Sequence, residues 1–339
     1  MTFEEIATRD AEGAIAAHAV RRENLTIRKG DVITAAHVAA LTAQGVGALI
    51  VARLEAGDIG ENEAARELAA AVSGENLRID RAFTGRANLF AERSGVLCID
   101  ARAVDAVNDI DEAITFATLP PMRAVVSGEM VGTVKIIPFA APRAALARAV
   151  AAAALSPMHV APYRPLRIGV ISTLLPGLKP SVIAKTLRVM DERLAPSGAR
   201  IVDDIRVAHD EKPLAEALCK LRPRCDLTIV FGASAITDRR DVIPAAIERA
   251  GGSIEHFGMP VDPGNLLLLG RLEGQTVIGA PGCARSPKEN GFDWVLQRLL
   301  ADVPVTGADI RRMGAGGLLM EIVSRPQPRA GDAPALNKQ

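Results

Sequence analysis

Three apolar runs in the second half of the chain, each ending abruptly in Gly, Ser or Pro, constrain this sequence more than any other feature. They are R-I-G-V-I-S (167–172), D-L-T-I-V-F-G-A-S (226–234) and Q-T-V-I-G-A-P-G (275–282). Such runs do not alternate polar with apolar, so they read as strands buried on both faces, and the helical patterns between them make the sheet mostly parallel. The expected fold for 167–302 is α/β, a three-layer, mostly parallel sheet with helices on both faces. In sheets of that kind ligands bind outside the carboxyl ends of the strands, so the loops after the three runs should converge on one crevice.

The intervening helices are legible by period. Ser181, after Pro180, is placed to cap a helix whose stripe is Ile183, Leu187, Met190 and Leu194. The next carries Leu214, Ala217, Leu218 and Leu221. A third starts at Val242 and stops at Gly251–Gly252, and a fourth includes Phe292, Val295, Leu296 and Leu299. Residues 303–324 read as an appendage or edge strand, and the polar, Pro-rich tail 325–339 as disordered.

Residues 1–155 read as a smaller α+β domain, separated from the second half by a linker over 156–166 with three prolines. Within it Thr34 is a helix N-cap and Gly45 its stop. Further helices are expected over 57–72 and 104–119, and 124–128 with 131–139 look like strands paired around Gly128. T-G-R-A-N-L (84–89) looks like an anion-friendly loop through Arg86 and Asn88.

Lys plus Arg and Asp plus Glu number 40 each, so no net field draws the chain to nucleic acid or a membrane surface. Four cysteines without a C-x-x-C argue against structural zinc and fit reduced thiols. No apolar segment reads as a signal peptide or a membrane span, which leads to the expectation of a cytoplasmic protein.

Gly232 ends a strand where the backbone must turn and a ligand can come close, and free loop N–H groups there suit an anion. Ser234 adds a hydroxyl; an ordinary βα turn explains the same residues. Asp210 and Asp241 each precede, by three residues, a proline that opens a helix. Both can be N-caps, or both can hold Mg²⁺ against a phosphate, and the two roles are compatible. Asp238 is a second choice of ligand. Gly282, Ser286 and Lys288 would form a further wall of the site, with Lys288 as a point charge. Cys283, beside Arg285 and a helix start, has either a thiol acidified toward nucleophilicity or a small filler's role. His209 reads as incidental.

These loops also carry a resemblance. F-G-A-S-A-I-T-D-R-R-D-V-I-P (231–244) resembles the T-G-G-x-x-x-x-x-R-D-V-T-P loop of the molybdopterin-binding family, the molybdopterin adenylyltransferases and the cofactor-binding domain of molybdenum insertases and gephyrin. A-P-G-C-A-R-S-P-K-E (280–289) resembles their L-P-G-x-P-x-S-x-K-E loop, and V-A-H-D-E-K-P-L-A-E-A-L (207–218) their V-P-D segment. Order and spacing match over roughly 166–302. The chain departs from the pattern at Ala233, Cys283 and Ala284, and it lacks an aspartate in K-P-S-V-I-A-K.

The resemblance implies molybdopterin as ligand or substrate, held by Gly232, Ala233, Ser234, Asp238, Gly282, Cys283, Ser286 and Lys288. It further implies Asp210 and Asp241 as catalytic carboxylates on Mg²⁺, with a nucleotide as possible co-substrate in adenylyl transfer or molybdate insertion. The alternative is a carrier that hands the pterin phosphate to a molybdoenzyme or a biosynthetic partner. Family members assemble as homo-oligomers.

Overall fold

The computed structural model describes residues 1–319. The chain divides into two compact units, Met1–Tyr163 and Arg164 onward. The mixed α/β class holds in both, with helices and several separate sheets.

The first unit contains two hydrophobic clusters. One, around Ile27, Ile33, Leu41 and Val51, lies under a three-stranded sheet built on Ala48–Arg53. Its helix Ala35–Ala43 is capped by Thr34, whose hydroxyl accepts from the His37 N–H, and Gly45 follows with φ +74°. The other cluster joins helices Glu61–Val72 and Arg143–Ala154 to the strands Arg86–Ala91 and Met130–Ile136.

Several expectations here are corrected. The 104–119 segment is not one helix: the helix is Ala101–Asn108, and Ile114–Thr118 is a strand. The Asn108 side chain accepts from Phe116 N–H and donates to Phe116 C=O, which folds the strand back onto the helix. Ala124–Val125 and Met130–Ile136 do not pair with each other; the first pairs with Gly95–Cys98, the second with Ile114–Thr118 and Arg86–Ala91. Arg86 and Asn88 stand on that last strand rather than in a loop. The Pro-rich 156–166 segment is no free linker, because His159–Pro162 pairs along Gly95–Cys98.

The second unit is built on one six-stranded sheet. Its elements are β1 (Arg167–Leu174), α1 (Pro180–Leu194), β2 (Arg200–Ala208), α2 (Glu211–Leu221), β3 (Leu227–Phe231) and α3 (Val242–Arg249). They continue with β4 (Ser253–Phe257), β5 (Leu268–Leu272), β6 (Gln275–Ala280), α4 (Gly291–Leu300) and α5 (Gly307–Arg311). The order is β2-β1-β3-β6-β5-β4. β2, β1, β3 and β6 run parallel, while β5 and β4 are antiparallel additions, so the sheet is mixed at one side.

Side-chain parity shows why continuous apolar runs were needed. Ile171, Val230, Val277 and Leu268 pack with α2 and α3 on one face. The alternate residues Val170, Ile229, Ile278 and Leu269 are equally buried. A strand covered on both faces is apolar at nearly every position, and the polar side chains buried here, Ser172, Thr173, Thr228 and Thr276, are small hydroxyls. α1 begins at Pro180 with Lys179 as its N-cap residue, so Ser181 is not the cap; proline suits the first helical position because its missing N–H would find no partner there. Of the 303–324 segment, α5 lies against β4, where Gly307 N–H donates to Glu255, and Leu318 bridges to Asp262. Residues 320–324 and the tail expected to be disordered lie outside the described residues.

Candidate functional site

The order β2-β1-β3 forces a reversal. From β1 the chain crosses by α1 to one side, to β2; from β3 it proceeds by α3 to the other side of the sheet. The two loops therefore part over the carboxyl ends of β1 and β3, which leaves a crevice there; this is the place where open α/β sheets bind ligands. The parallel neighbour β6 ends at the same edge, so 175–179, 232–241 and 281–290 share it.

Long-range hydrogen bonds tie the second and third loops to each other and to the end of β1 and to α1. Thr173, at the end of β1, accepts from the Ala233 N–H at 2.8 Å and meets His209 Nδ1 at 2.8 Å. Arg285 donates to the Gly232 carbonyl and to Thr186 Oγ1 of α1, each at 2.9 Å, while its guanidinium lies 5.2 Å from the centre of the Phe231 ring. Arg193 of α1 donates to the carbonyls of Ala284 and Ser286 and pairs with Asp293 of α4 at 2.5 Å. Asp293 also receives the Asn290 N–H in a capping box that starts α4.

The expected residues fall into place unevenly. Gly232 and Ala233 are half-buried, and Ser234 is exposed. Among the described residues the N–H groups of Ser234, Ala235 and Ile236 reach no acceptor, which leaves three open donors in this loop. The Ala233 N–H, by contrast, is spent on Thr173. Gly232 does not have positive φ, and a Cβ there would meet Ser234 O at 2.5 Å. Its glycine is required by its own loop, whatever ligand is present. Gly282 opens a short 3-10 turn, is exposed, and would offer a Cβ open space. Ser286 accepts the Lys288 N–H, and Lys288 is exposed.

Both aspartates are N-caps. Asp210 Oδ1 accepts from Lys212 N–H at 3.1 Å. Asp241 Oδ1 accepts from Val242 N–H at 2.8 Å and its Oδ2 from Thr237 N–H at 3.2 Å. Asp238 is exposed against Arg240, whose guanidinium holds the carboxyl below its ordinary pKa. Among the described residues no group of three or more His, Cys, Asp or Glu could hold a metal ion.

Of the two readings of Cys283, its surroundings favour the small filler. Burial pushes its thiol pKa up, and the Arg285 guanidinium is turned to Gly232 and Thr186 instead. The thiol is a protonated, half-buried filler. Arg285, Thr173, Ser172 and His209 are the residues sequence reasoning missed as members of the site. The sequence signal for Arg285 is a cation set among the small residues of P-G-C-A-R-S-P.

A cavity of about 340 Å³ lies at the opposite, amino edge of the same sheet, near Leu166, Leu227 and Gln275. Parallel-sheet ligands do not bind at that edge, so the carboxyl edge is the stronger candidate despite being open.

The family described as a Domain of unknown function (DUF8806) matches residues 5–53, within the first unit. No curated protein matches the chain. Among solved structures, the chain is similar to a molybdopterin biosynthesis moea protein from Pyrococcus horikosii, at 15% identity and a TM-score of 0.32, with 91% of this chain and 76% of that one covered. It is similar at 12% identity and a TM-score of 0.25 to a molybdenum cofactor biosynthesis protein from Pyrococcus furiosus, covering 89% of this chain and 64% of that one. A CinA protein of unknown function from Thermoplasma acidophilum matches at 17% identity and a TM-score of 0.28, over 41% of this chain and 98% of its own. All three likenesses are slight, and the reading of the site stands on its own residues.

Proposed function

We propose that the second unit binds molybdopterin, free or in its nucleotide form, by the terminal phosphate in the crevice outside β1, β3 and β6. One observation supports this reading: the loops that resemble the molybdopterin-binding family meet at the switch point of the sheet, with the N–H groups of Ser234, Ala235 and Ile236 open and Arg285 paired with no acidic side chain among the described residues. Preorganised N–H donors and a cation at strand ends are what a phosphate needs.

Binding is favoured over catalysis. Mg²⁺ chemistry would need carboxylates turned to the phosphate, whereas the oxygens of Asp241 and one of Asp210 already accept N–H groups of their own loop or helix and would have to be shared with the ion. Two capping carboxylates, with no group of three or more His, Cys, Asp or Glu among the described residues, fit a bound magnesium poorly. A carrier that delivers pterin phosphate to a biosynthetic partner or a molybdoenzyme, as a homo-oligomer or otherwise, fits this site better than an adenylyl or molybdate transferase.

Mass spectrometry of the small molecule retained by the full chain after native purification tests the reading, together with ATP turnover in the presence of molybdopterin. A retained phosphorylated pterin without turnover is expected. A retained ligand with no phosphate contradicts it, and rapid ATP turnover would restore the transferase.

A further inference from the structure

We propose that Arg285, seated on Phe231 beside Ser172, is the principal binding cation for a phosphate monoester at this edge of the sheet. The inference rests on placing the crevice above β1 and β3, but not on the pterin part of the ligand.

Arg285 is half-buried, and its only acceptors among the described residues are neutral, Thr186 Oγ1 and the Gly232 carbonyl. Its ion-pair status sets it apart from Arg193, which is equally engaged in the fold but has Asp293 as counter-charge at 2.5 Å. A guanidinium withdrawn from water without a carboxylate carries an unrelieved desolvation cost, and burial accordingly lowers the Arg285 pKa. Two of its five N–H groups are used, so three remain for an incoming acceptor. The two existing bonds and the ring beneath fix the plane of the fork.

Ser172 supplies the second, independent observation. Its residue is 1% exposed and its Oγ has no hydrogen-bond partner. It is in register with Phe231 on the adjacent parallel strand, so the two side chains share the face over which the guanidinium lies. A buried hydroxyl is normally satisfied, and one left open at a strand end fits a partner from outside the chain. The unbonded amides of Ser234, Ala235 and Ile236 stand in the loop whose first carbonyl Arg285 grips. These donors come from three chain segments. A planar carboxylate would be satisfied by the guanidinium fork alone, whereas the three terminal oxygens of a phosphate monoester can serve the fork, the hydroxyl and the amides together.

The test uses the full chain and inorganic phosphate, followed by ³¹P line broadening, with acetate as the competing arm. Wild-type protein is expected to bind phosphate, with acetate unable to displace it at equal concentration. Arg285→Gln should weaken phosphate binding about tenfold to a hundredfold, Arg285→Lys less, and Ser172→Ala in the same direction as Arg285→Gln. Because Arg285 also braces two loops, a measurement without substitution accompanies these: phosphate should protect Arg285 of the wild-type protein from phenylglyoxal, read peptide by peptide. Unprotected Arg285, undiminished phosphate binding by a folded Arg285→Gln, or equal displacement by acetate would overturn the inference. Molybdopterin bound equally well by Arg285→Gln would remove this role and leave the proposed function standing. Phosphate held through Arg285 with no affinity for molybdopterin would do the reverse.

Discussion

At the scale of single residues, the two loop glycines separate a structural need from a ligand's need. A Cβ on Gly232 collides with Ser234 O and comes to 3.0 Å from Ile243 Cδ1, whereas one on Gly282 meets nothing within 4 Å. Gly232→Ala should therefore cost about 1–3 kcal/mol by forcing the loop apart, and Gly282→Ala less than about 0.5 kcal/mol. Denaturant unfolding of both variants checks this, and equal costs would show that the Gly232 loop has room to give. Cys283 offers a pH test. Its folded thiol pKa is raised above the ordinary 9.0, so burying it stabilises the fold below about that pH. Above it the unfolded thiol ionises first, and the contribution is lost as pH rises through the folded value. The wild-type protein should lose more stability than Cys283→Ala between pH 8 and 10, and iodoacetamide should reach exposed Cys219 well before Cys283. Rapid alkylation of Cys283 at neutral pH would contradict the buried, protonated thiol.

At the scale of elements, the third loop depends on a residue of a distant helix. Arg193 and Asp293 have side chains only 9% and 10% exposed, and Arg193 holds the carbonyls of Ala284 and Ser286 besides. Removing the arginine leaves a buried carboxylate unpaired, so Arg193→Ala should cost about 3–5 kcal/mol and loosen 284–288. Thermal unfolding with amide exchange of that loop measures both effects; a shift of only a few tenths of a kcal/mol would mean that water replaces the guanidinium. Such ties explain what was legible in the chain and what was not. β1, β3 and β6 were readable because strands buried on both faces leave continuous apolar runs, and the caps at Thr34, Asp210 and Asp241 because they are local. The strand Ile114–Thr118 reads as helix in the sequence because its pairing partner and the Asn108 clamp lie outside any short window. The loops of the site were visible, but their assembly was not: the bonds of Arg285 to Gly232 and of Thr173 to Ala233 join residues 53 and 60 positions apart.

At the scale of the whole molecule, the two units have their own cores, and the candidate site draws only on the second. A fragment covering 164–319 should therefore unfold cooperatively and keep the ligand affinity of the full chain; an insoluble or non-cooperative fragment would place part of that core's stability in the first unit. On the proposed function, the carboxyl edge of β1, β3 and β6 holds the terminal phosphate of molybdopterin. Calorimetric titration of molybdopterin into wild-type protein and Gly282→Val tests it, since a Cβ there meets nothing within 4 Å and the fold has room for the added side chain. Two lost charge-assisted contacts at roughly 1.5–3 kcal/mol each predict at least about a hundredfold weaker binding by a variant that melts as wild type does. Wild-type affinity in that folded variant would contradict the account.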